Sequence, residues 1–220
     1  MKLEEGIFSV YKPKGPTSFD IIEKIKRLTG EKRIGHAGTL DPLAEGVLVV
    51  GVGRENTRKL KDIVEKEKEY LTTIKLGEKS STDDDGGEKT SIAVNNIPKK
   101  SKIENILPDF LGEINQVPPR FSAIKVKGKR AYKLAREGKE FKLEPRKVFI
   151  KEIELIDYKY PFLELRVVTG KGVYIRSLAR DIGEKLKTGG YVFRLKRTRV
   201  GNFKIEDSFS IEELKNLCSK

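Results

Sequence analysis

The run GVLVVGVG, residues 46–53, restricts the fold more than any other part of the chain. It is made of β-branched and other apolar residues with no polar position on either face, and is short enough to be a strand buried on both sides. A strand of that kind needs cover on each side, and the neighbouring segments supply amphipathic candidates. The loop that feeds it, "KRIGHAGTLDPLAE", holds the only histidine of the chain, His36, and an Asp-Pro step at Asp41 and Pro42.

Upstream, residues 7–11 read as a short strand stopped by "KPKGPTS", whose prolines and glycine forbid regular pairing. A helix follows, capped by Thr17 or Ser18, with Ile21, Ile22, Ile25 and Leu28 on one face and Gly30 at its end. In "EYLTTIKLG", Tyr70, Thr72, Ile74 and Leu76 share one face of a second strand. "STDDDGGEKTS" is a polar turn, and a short helix spans about 103–110. Residues from about 116 to 145 are rich in Pro, Lys, Arg and Gly, with a short helix near 131–136, and read as a basic flap. "RKVFIKEIELIDY" and "FLELRVV" form a hairpin. "VYIRSLARDIGEKL" is a helix with Leu178, Ala179, Ile182 and Leu186 on one side, and "YVFRLKRTRVGNF" a basic strand. A last helix opens with a capping box of Ser210 and Glu213. Strands and helices alternate without strict βαβ order and without an internal repeat, so the fold class is α+β on a largely antiparallel sheet.

With 46 Lys and Arg against 33 Asp and Glu, the formal charge is +13, and the surface should attract a polyanion, either nucleic acid or an anionic membrane. Nucleic acid is favoured. No segment approaches the roughly 18 apolar residues of a membrane span, and "MKLEEGIFSV" lacks a signal pattern, so a cytoplasmic protein is expected. One cysteine, Cys218, and one histidine exclude an internal disulfide and a Cys/His zinc site. "GVGREN" has Asn56 where a dinucleotide loop needs its third glycine, and there is neither a phosphate-binding P-loop nor a G-x-S-x-G elbow. Chemistry therefore falls to carboxylates, Tyr, Arg or Lys.

Pro42 holds Asp41 in an extended conformation where loop becomes buried strand, which would aim a carboxylate rigidly. On composition alone an Asp-Pro step is equally an ordinary turn, Tyr70 a core tyrosine, Arg176 a solvated residue and the lysines of "KVKGKRAYK" a solvated charge run.

"RIGHAGTLDPLAEGVL" closely resembles the signature of the TruB family, the bacterial tRNA pseudouridine-55 synthases. "VYKPKGPTSFD", "KEYLTTIKLG", "PPRFSAIKVKGKRAYKLAREG" and "GKGVYIRSLARDIGEKL" resemble that family's N-terminal motif, tyrosine strand, RNA-covering flap and arginine motif, in the same order. The resemblance runs from Tyr11 to Leu195. It implies a pseudouridine synthase fold, with a mostly antiparallel mixed sheet flanked by helices and a basic flap insertion. It further implies one catalytic domain over residues 1–220, without the C-terminal PUA domain usual in the family.

The resemblance also implies roles for single residues. Asp41 is the catalytic aspartate, Arg176 the arginine that pairs with it, and Tyr70 the tyrosine that stacks on the target uracil. Tyr174 lines the substrate pocket, Leu195 packs near the base, and His36 enters the tRNA T-loop where the extruded base had been. Lys12, in the Lys-Pro motif, is structural or a phosphate contact, and Lys125, Lys127, Lys129 and Arg130 follow backbone phosphates. Asp83 and Gly86 carry over from the acidic turn, and Phe121 stands where the family usually has Tyr.

Converting uridine to pseudouridine breaks the N1–C1′ bond, turns the uracil and rejoins it through C5, with no redox change, so neither cofactor nor metal is expected. The carboxylate must be ionised yet desolvated, and an adjacent guanidinium opposes the neutralising effect of burial. The base must also be flipped out, at a cost offset by stacking and by filling the gap. The expected partner is the T-arm of tRNA, bound by a monomer with no protein partner. Two other readings compete: a guide-RNA-dependent synthase of the dyskerin type, and a non-catalytic RNA-binding or tRNA-folding protein.

Overall fold

In the computed structural model, which describes residues 6–218, the apolar run forms a strand, Glu45–Val52, buried at seven of its eight positions. Residues 1–5, 219 and 220, on which the readings of the N-terminus and of the chain's end bear, lie outside the described residues. In chain order the strands are β1 (Gly6–Lys12), β2 (Ile34–Ala37), β3 (Glu45–Val52), β4 (Lys68–Leu76), β5 (Glu78–Ser80), β6 (Lys89–Ser91) and β7 (Gly112–Gln116). They continue with β8 (Lys125–Val126), β9 (Lys129–Arg130), β10 (Arg146–Lys159), β11 (Phe162–Thr169), β12 (Gly190–Val200) and β13 (Phe203–Lys204). The helices are α1 (Ser18–Thr29), α2 (Arg54–Val64), α3 (Lys100–Ile106), α4 (Ala131–Arg136), α5 (Ile175–Leu186) and α6 (Ile211–Cys218). None is long and apolar enough to cross a membrane.

The chain forms two units, one made of residues up to Leu71 together with those from Leu195, the other of Thr72–Arg194. β4 and β12 run from one into the other. In the first unit the strand order is β1-β3-β12-β4, in the second β12-β4-β11-β10-β7. Most ladders are antiparallel, and β12 meets β3 in parallel.

The first unit is built around β3. One edge pairs with β1 along its length, while the other is divided between β2, at Val49–Val52, and β12, at Glu45 and Gly46. Its side chains alternate between two cores. Leu48, Val50 and Val52 pack with Ile21, Ile22 and Ile25 of α1 and Leu214 of α6. Val47 and Val49 pack with Ala37, Leu60 of α2 and Val200. Each fully buried Val, Leu or Ile contributes about 1.5–3 kcal/mol, so this strand alone accounts for a large share of the unit's hydrophobic stabilisation. α1 starts on a reciprocal capping box between Thr17 and Asp20 and ends at Gly30, whose φ of 73° suits glycine. Thr17 is thus the cap, which leaves the Ser18 side chain free for another task.

In the second unit, β10 and β11 form the expected hairpin, with β7 on the outer edge of β10. α5 buries Leu178, Ala179, Ile182 and Leu186 as expected, and Arg176 with them. Gly183 is indispensable to its packing, because a Cβ there would lie 2.3 Å from the Gly189 carbonyl carbon. Between Gln116 and Arg146 lies a small hairpin of β8 and β9, turned through Lys127 and Gly128, both at positive φ, and then α4 at the expected residues. The helix α2 has no counterpart among the sequence expectations; it buries Leu60 and sets Ile63 against the same core.

Candidate active site

The loop between β2 and β3 is held from several sides within the first unit. Ser18 Oγ accepts the Leu40 N–H at 2.9 Å and donates to the Leu40 carbonyl at 3.0 Å. The Gly15 N–H donates to the Pro42 carbonyl at 2.8 Å, and the Ala44 N–H to the Asp41 carbonyl at 3.0 Å. Asp41 therefore sits between two neighbours whose backbones are each tied to the "KPKGPTS" segment. The Asp-Pro step makes a turn, closed by the Ala44 N–H on the Asp41 carbonyl, as the composition reading expects.

Among the described residues of this unit, three cations are buried. Lys12 is fully buried and donates to the Pro13 and Pro16 carbonyls at 2.9 and 2.8 Å. Of the two roles open to Lys12, the structural one fits, since a buried amine committed to carbonyls cannot reach an RNA phosphate. Burial lowers its pKa from 10.5 to about 8, opposed by the Asp41 carboxylate and reinforced by Arg197. Lys68 donates to the Val64 and Lys66 carbonyls, both at 2.7 Å, and burial followed by Arg197 lowers it to about 8 as well. Arg197, 2% exposed, donates from Nε to the Val47 carbonyl at 2.8 Å and from Nη2 to the Gly38 carbonyl at 2.9 Å. His36, on β2 opposite Val50, has a buried Nδ1 with no hydrogen-bond partner. Burial, then Arg197, lowers its pKa, so the imidazole is neutral at neutral pH. Tyr70 on β4 and Leu195 on β12 are both buried. Glu45 accepts the Tyr11 hydroxyl at 2.8 Å, and burial with that bond raises the tyrosine pKa to about 12.

In the second unit, Tyr174 and Arg176 sit at the start of α5. Gln116, itself buried, brackets Tyr174: its Oε1 accepts the Tyr174 N–H at 2.9 Å and its Nε2 donates to the Tyr174 carbonyl at 3.2 Å. Arg176, 5% exposed, donates to the carbonyls of Thr82 at 3.2 Å and Phe121 at 3.0 Å and lies 3.4 Å from Asp84 Oδ2. It is a buried cation and not a solvated first-turn residue. Asp84 Oδ1 accepts the Thr82 hydroxyl at 2.6 Å and the Gly86 N–H at 2.9 Å. Asp83, at a positive φ of 59°, instead meets Arg180 at 2.8 Å. Its pKa is raised by burial, against the pull of Arg180 and Arg176. The Phe121 side chain has no hydroxyl to offer, but its backbone carbonyl is in use. Lys125, Lys127, Lys129 and Arg130 are all exposed. Arg136 lies over the Tyr132 ring and Arg120 over Phe141.

The first unit thus brings His36, Asp41 and Lys12 to one loop and its supports, and the second brings Tyr174 and Arg176 to one helix start. Ser18, Gln116, Asp84 and Arg197 were not singled out as site residues. The sequence signal that could have found Ser18 is its place in "GPTSFD"; Arg197 gave none beyond its basic strand.

Residues 26–175 match the model of the TruB family pseudouridylate synthase (N terminal domain), and residues 176–220 that of the tRNA pseudouridylate synthase B C-terminal domain. The chain is 43% identical to tRNA pseudouridine synthase B of Clostridium kluyveri, over 96% of this chain and 72% of that protein. It is 42% identical to tRNA pseudouridine synthase B of Parabacteroides distasonis, over 92% of this chain and 88% of that protein. Among solved structures, a chain from a Cbf5-Nop10-Gar1 complex is similar with a TM-score of 0.74 and 29% identity over 96% of this chain. A chain from an H/ACA RNP bound to a substrate RNA containing 2′-deoxyuridine matches with a TM-score of 0.71 and 27% identity over 96% of this chain. The present chain spans about half the length of each, 54% and 52%.

Proposed function

Because the chain belongs to the TruB family of pseudouridylate synthases, we propose that it isomerises one uridine of the tRNA T-loop, position 55, to pseudouridine. The observation that carries this reading is the anchored loop: Asp41 lies in the family signature, between Leu40 and Pro42, whose backbones are tied to Ser18 and Gly15. Rigid placement is what a reacting carboxylate needs, because an attacking group must meet its target atom within a fraction of an ångström.

In this reading Asp41, ionised and shielded from water, engages the ribose of the flipped nucleotide, either at C1′ or by taking the C2′ proton. The N1–C1′ bond breaks, the uracil turns to present C5, C5 bonds to C1′ as Asp41 leaves C1′ or returns the proton to C2′, and the C5 proton is lost as N1 gains one. The family resemblance assigns Arg176 the charge that keeps the carboxylate ionised, Tyr70 the stacking on the base, and Tyr174 and Leu195 the lining of its pocket. The neutral imidazole of His36 suits a stacking plate filling the vacated place in the T-loop. The exposed Lys125, Lys127, Lys129 and Arg130 follow phosphates of the T-arm. The protein acts as a cytoplasmic monomer, without cofactor or protein partner.

The test is an incubation with unmodified tRNA transcript or an isolated T-arm hairpin, with no cofactor and no guide, followed by mapping of pseudouridine. Product at the T-loop from the wild type, and none from Asp41→Asn with tRNA still bound, is the expected result. Product only after addition of a guide RNA would favour the guide-RNA-dependent, dyskerin-type reading, and no product under either condition would leave a binding protein.

A further inference from the structure

The loop between β2 and β3 leaves one sheet position and returns to another, and both of its feet hang on a single side chain. Arg197 Nε donates to the carbonyl of Val47, two residues into β3, and Nη2 to the carbonyl of Gly38, where the chain leaves β2. The backbone of the same residue pairs with Gly46 in the short parallel contact of β12 with β3. Gly46 permits this approach, because a Cβ there would lie 2.1 Å from the Arg197 carbonyl oxygen. On β12, Leu195 and Arg197 alternate to the same side of the strand, and both are buried.

A guanidinium that is 2% exposed and hydrogen-bonded to two neutral carbonyls is an expensive way to close a loop. Its fork of donors nevertheless does what no apolar residue could: it fixes the separation of Gly38 and Val47, and with it the course of the residues between them. Lys12 and Lys68, the other buried cations here, spend their protons on carbonyls outside this loop and cannot substitute.

We propose that Arg197 is a positioning residue: it clamps both ends of the loop that carries Asp41 and ties that loop to the strand that carries Leu195. The inference rests on the isomerase reading above, and one of its readouts does not depend on activity.

Amide hydrogen exchange on Arg197→Met reports the loop directly. The Leu40 and Ala44 amides, which donate to Ser18 and to the Asp41 carbonyl, should exchange at least roughly tenfold faster, while the β1–β3 ladder keeps its protection. With tRNA, kcat should fall roughly 100-fold with the Kd for tRNA within about twofold, since a displacement near 1 Å costs on that order. Arg197→Lys, which keeps the charge but not the two-pronged geometry, should recover only part of kcat. Should Arg197→Met not fold, Arg197→Lys and Gly46→Ala, which pushes the same strand away from the loop foot, provide the same two readouts. Unchanged loop exchange in a folded variant overturns the proposal, as does an unchanged kcat. A wild type with no pseudouridine activity would sink the isomerase reading, while the exchange result would still decide whether Arg197 clamps the loop.

Discussion

The loop around Asp41 and the segment between Gln116 and Arg146 are both irregular and both flanked by strands, yet they are built on opposite principles. The first is short, apolar around its base and cross-linked to the rest of its unit through Ser18, Gly15 and Arg197. The second is long, carries its cations outward, and is tied at its start, where Val117 accepts from Ser177 and Arg180 and Phe121 accepts from Arg176, and by the buried Ala131 and Leu134 of α4. Bond rearrangement at one carbon rewards fixed geometry, whereas phosphates along a backbone reward many weak, adjustable contacts. On the proposed reading, the same chain concentrates rigidity at the reacting carboxylate and charge where the tRNA backbone would be followed.

The sharpest way to break this contrast is to exchange the consequences. Asp41→Asn should abolish product with tRNA affinity within about twofold, because the loop's anchors are backbone groups of Leu40 and Pro42 and survive the change. Loss of affinity on that scale would mean that the loop is also a binding element. Replacing Lys125, Lys127, Lys129 and Arg130 together by Ala should do the reverse. tRNA affinity at moderate salt falls roughly 100-fold, the slope of log K against log salt flattens by up to about 3, and kcat at saturating tRNA is unchanged. A flap variant with reduced kcat at saturation would show that these residues also shape the reacting site.

Ser18→Ala probes the anchors themselves. The hydroxyl makes two hydrogen bonds to Leu40 and is almost fully buried, so its removal leaves a buried N–H and C=O unpaired, at about 1–3 kcal/mol. The expected signature is a melting point lower by several degrees and a roughly tenfold lower kcat. Affinity for tRNA should hold.

Why the sequence made some of this legible and not the rest follows from the range of the interactions. The double-sided burial of β3, the stripe on α1, the hairpin of β10 and β11 and the buried side of α5 are local periodicities, and a period survives in one dimension. The Asp41 loop was legible through its short motif. Ser18 was legible only as one of two possible caps; with Thr17 taking that task, its hydroxyl was free for a residue 22 positions away. Arg197 reaches carbonyls 150 and 159 residues distant, and nothing in "RLKRTRV" separates it from its solvated neighbours. The two roles open to Lys12, structural or phosphate contact, stay undivided in the sequence for the same reason, as burial of a lysine among carbonyls leaves no mark on composition. The acidic turn was half legible: Asp83 and Gly86 were expected, but it is Asp84 that faces Arg176 and accepts the Gly86 N–H.

The smallest expected effect separates the two regions by pH. Lys12 and Lys68 are buried beside Arg197, and each has its pKa lowered from 10.5 to about 8, with burial the main cause. Between about pH 8 and 10 the unfolded chain holds more protons on these two lysines than the folded one, so their contribution makes stability rise with pH in that window. Above about pH 10 Tyr11 acts in the other direction. Burial and Glu45 hold its folded pKa at about 12, the unfolded tyrosine ionises first, and stability falls as pH rises. Urea midpoints at about pH 7.5 and about pH 9.5 test this within the favourable window. The wild type should be more resistant at the higher pH, Lys68→Met should gain less, and the flap variant, which removes only exposed cations, should gain as much as the wild type. Equal gains in the wild type and Lys68→Met would mean that Lys68 carries no burial cost in the folded protein. The first unit's buried charge would then be no different in kind from the charge the flap displays to solvent.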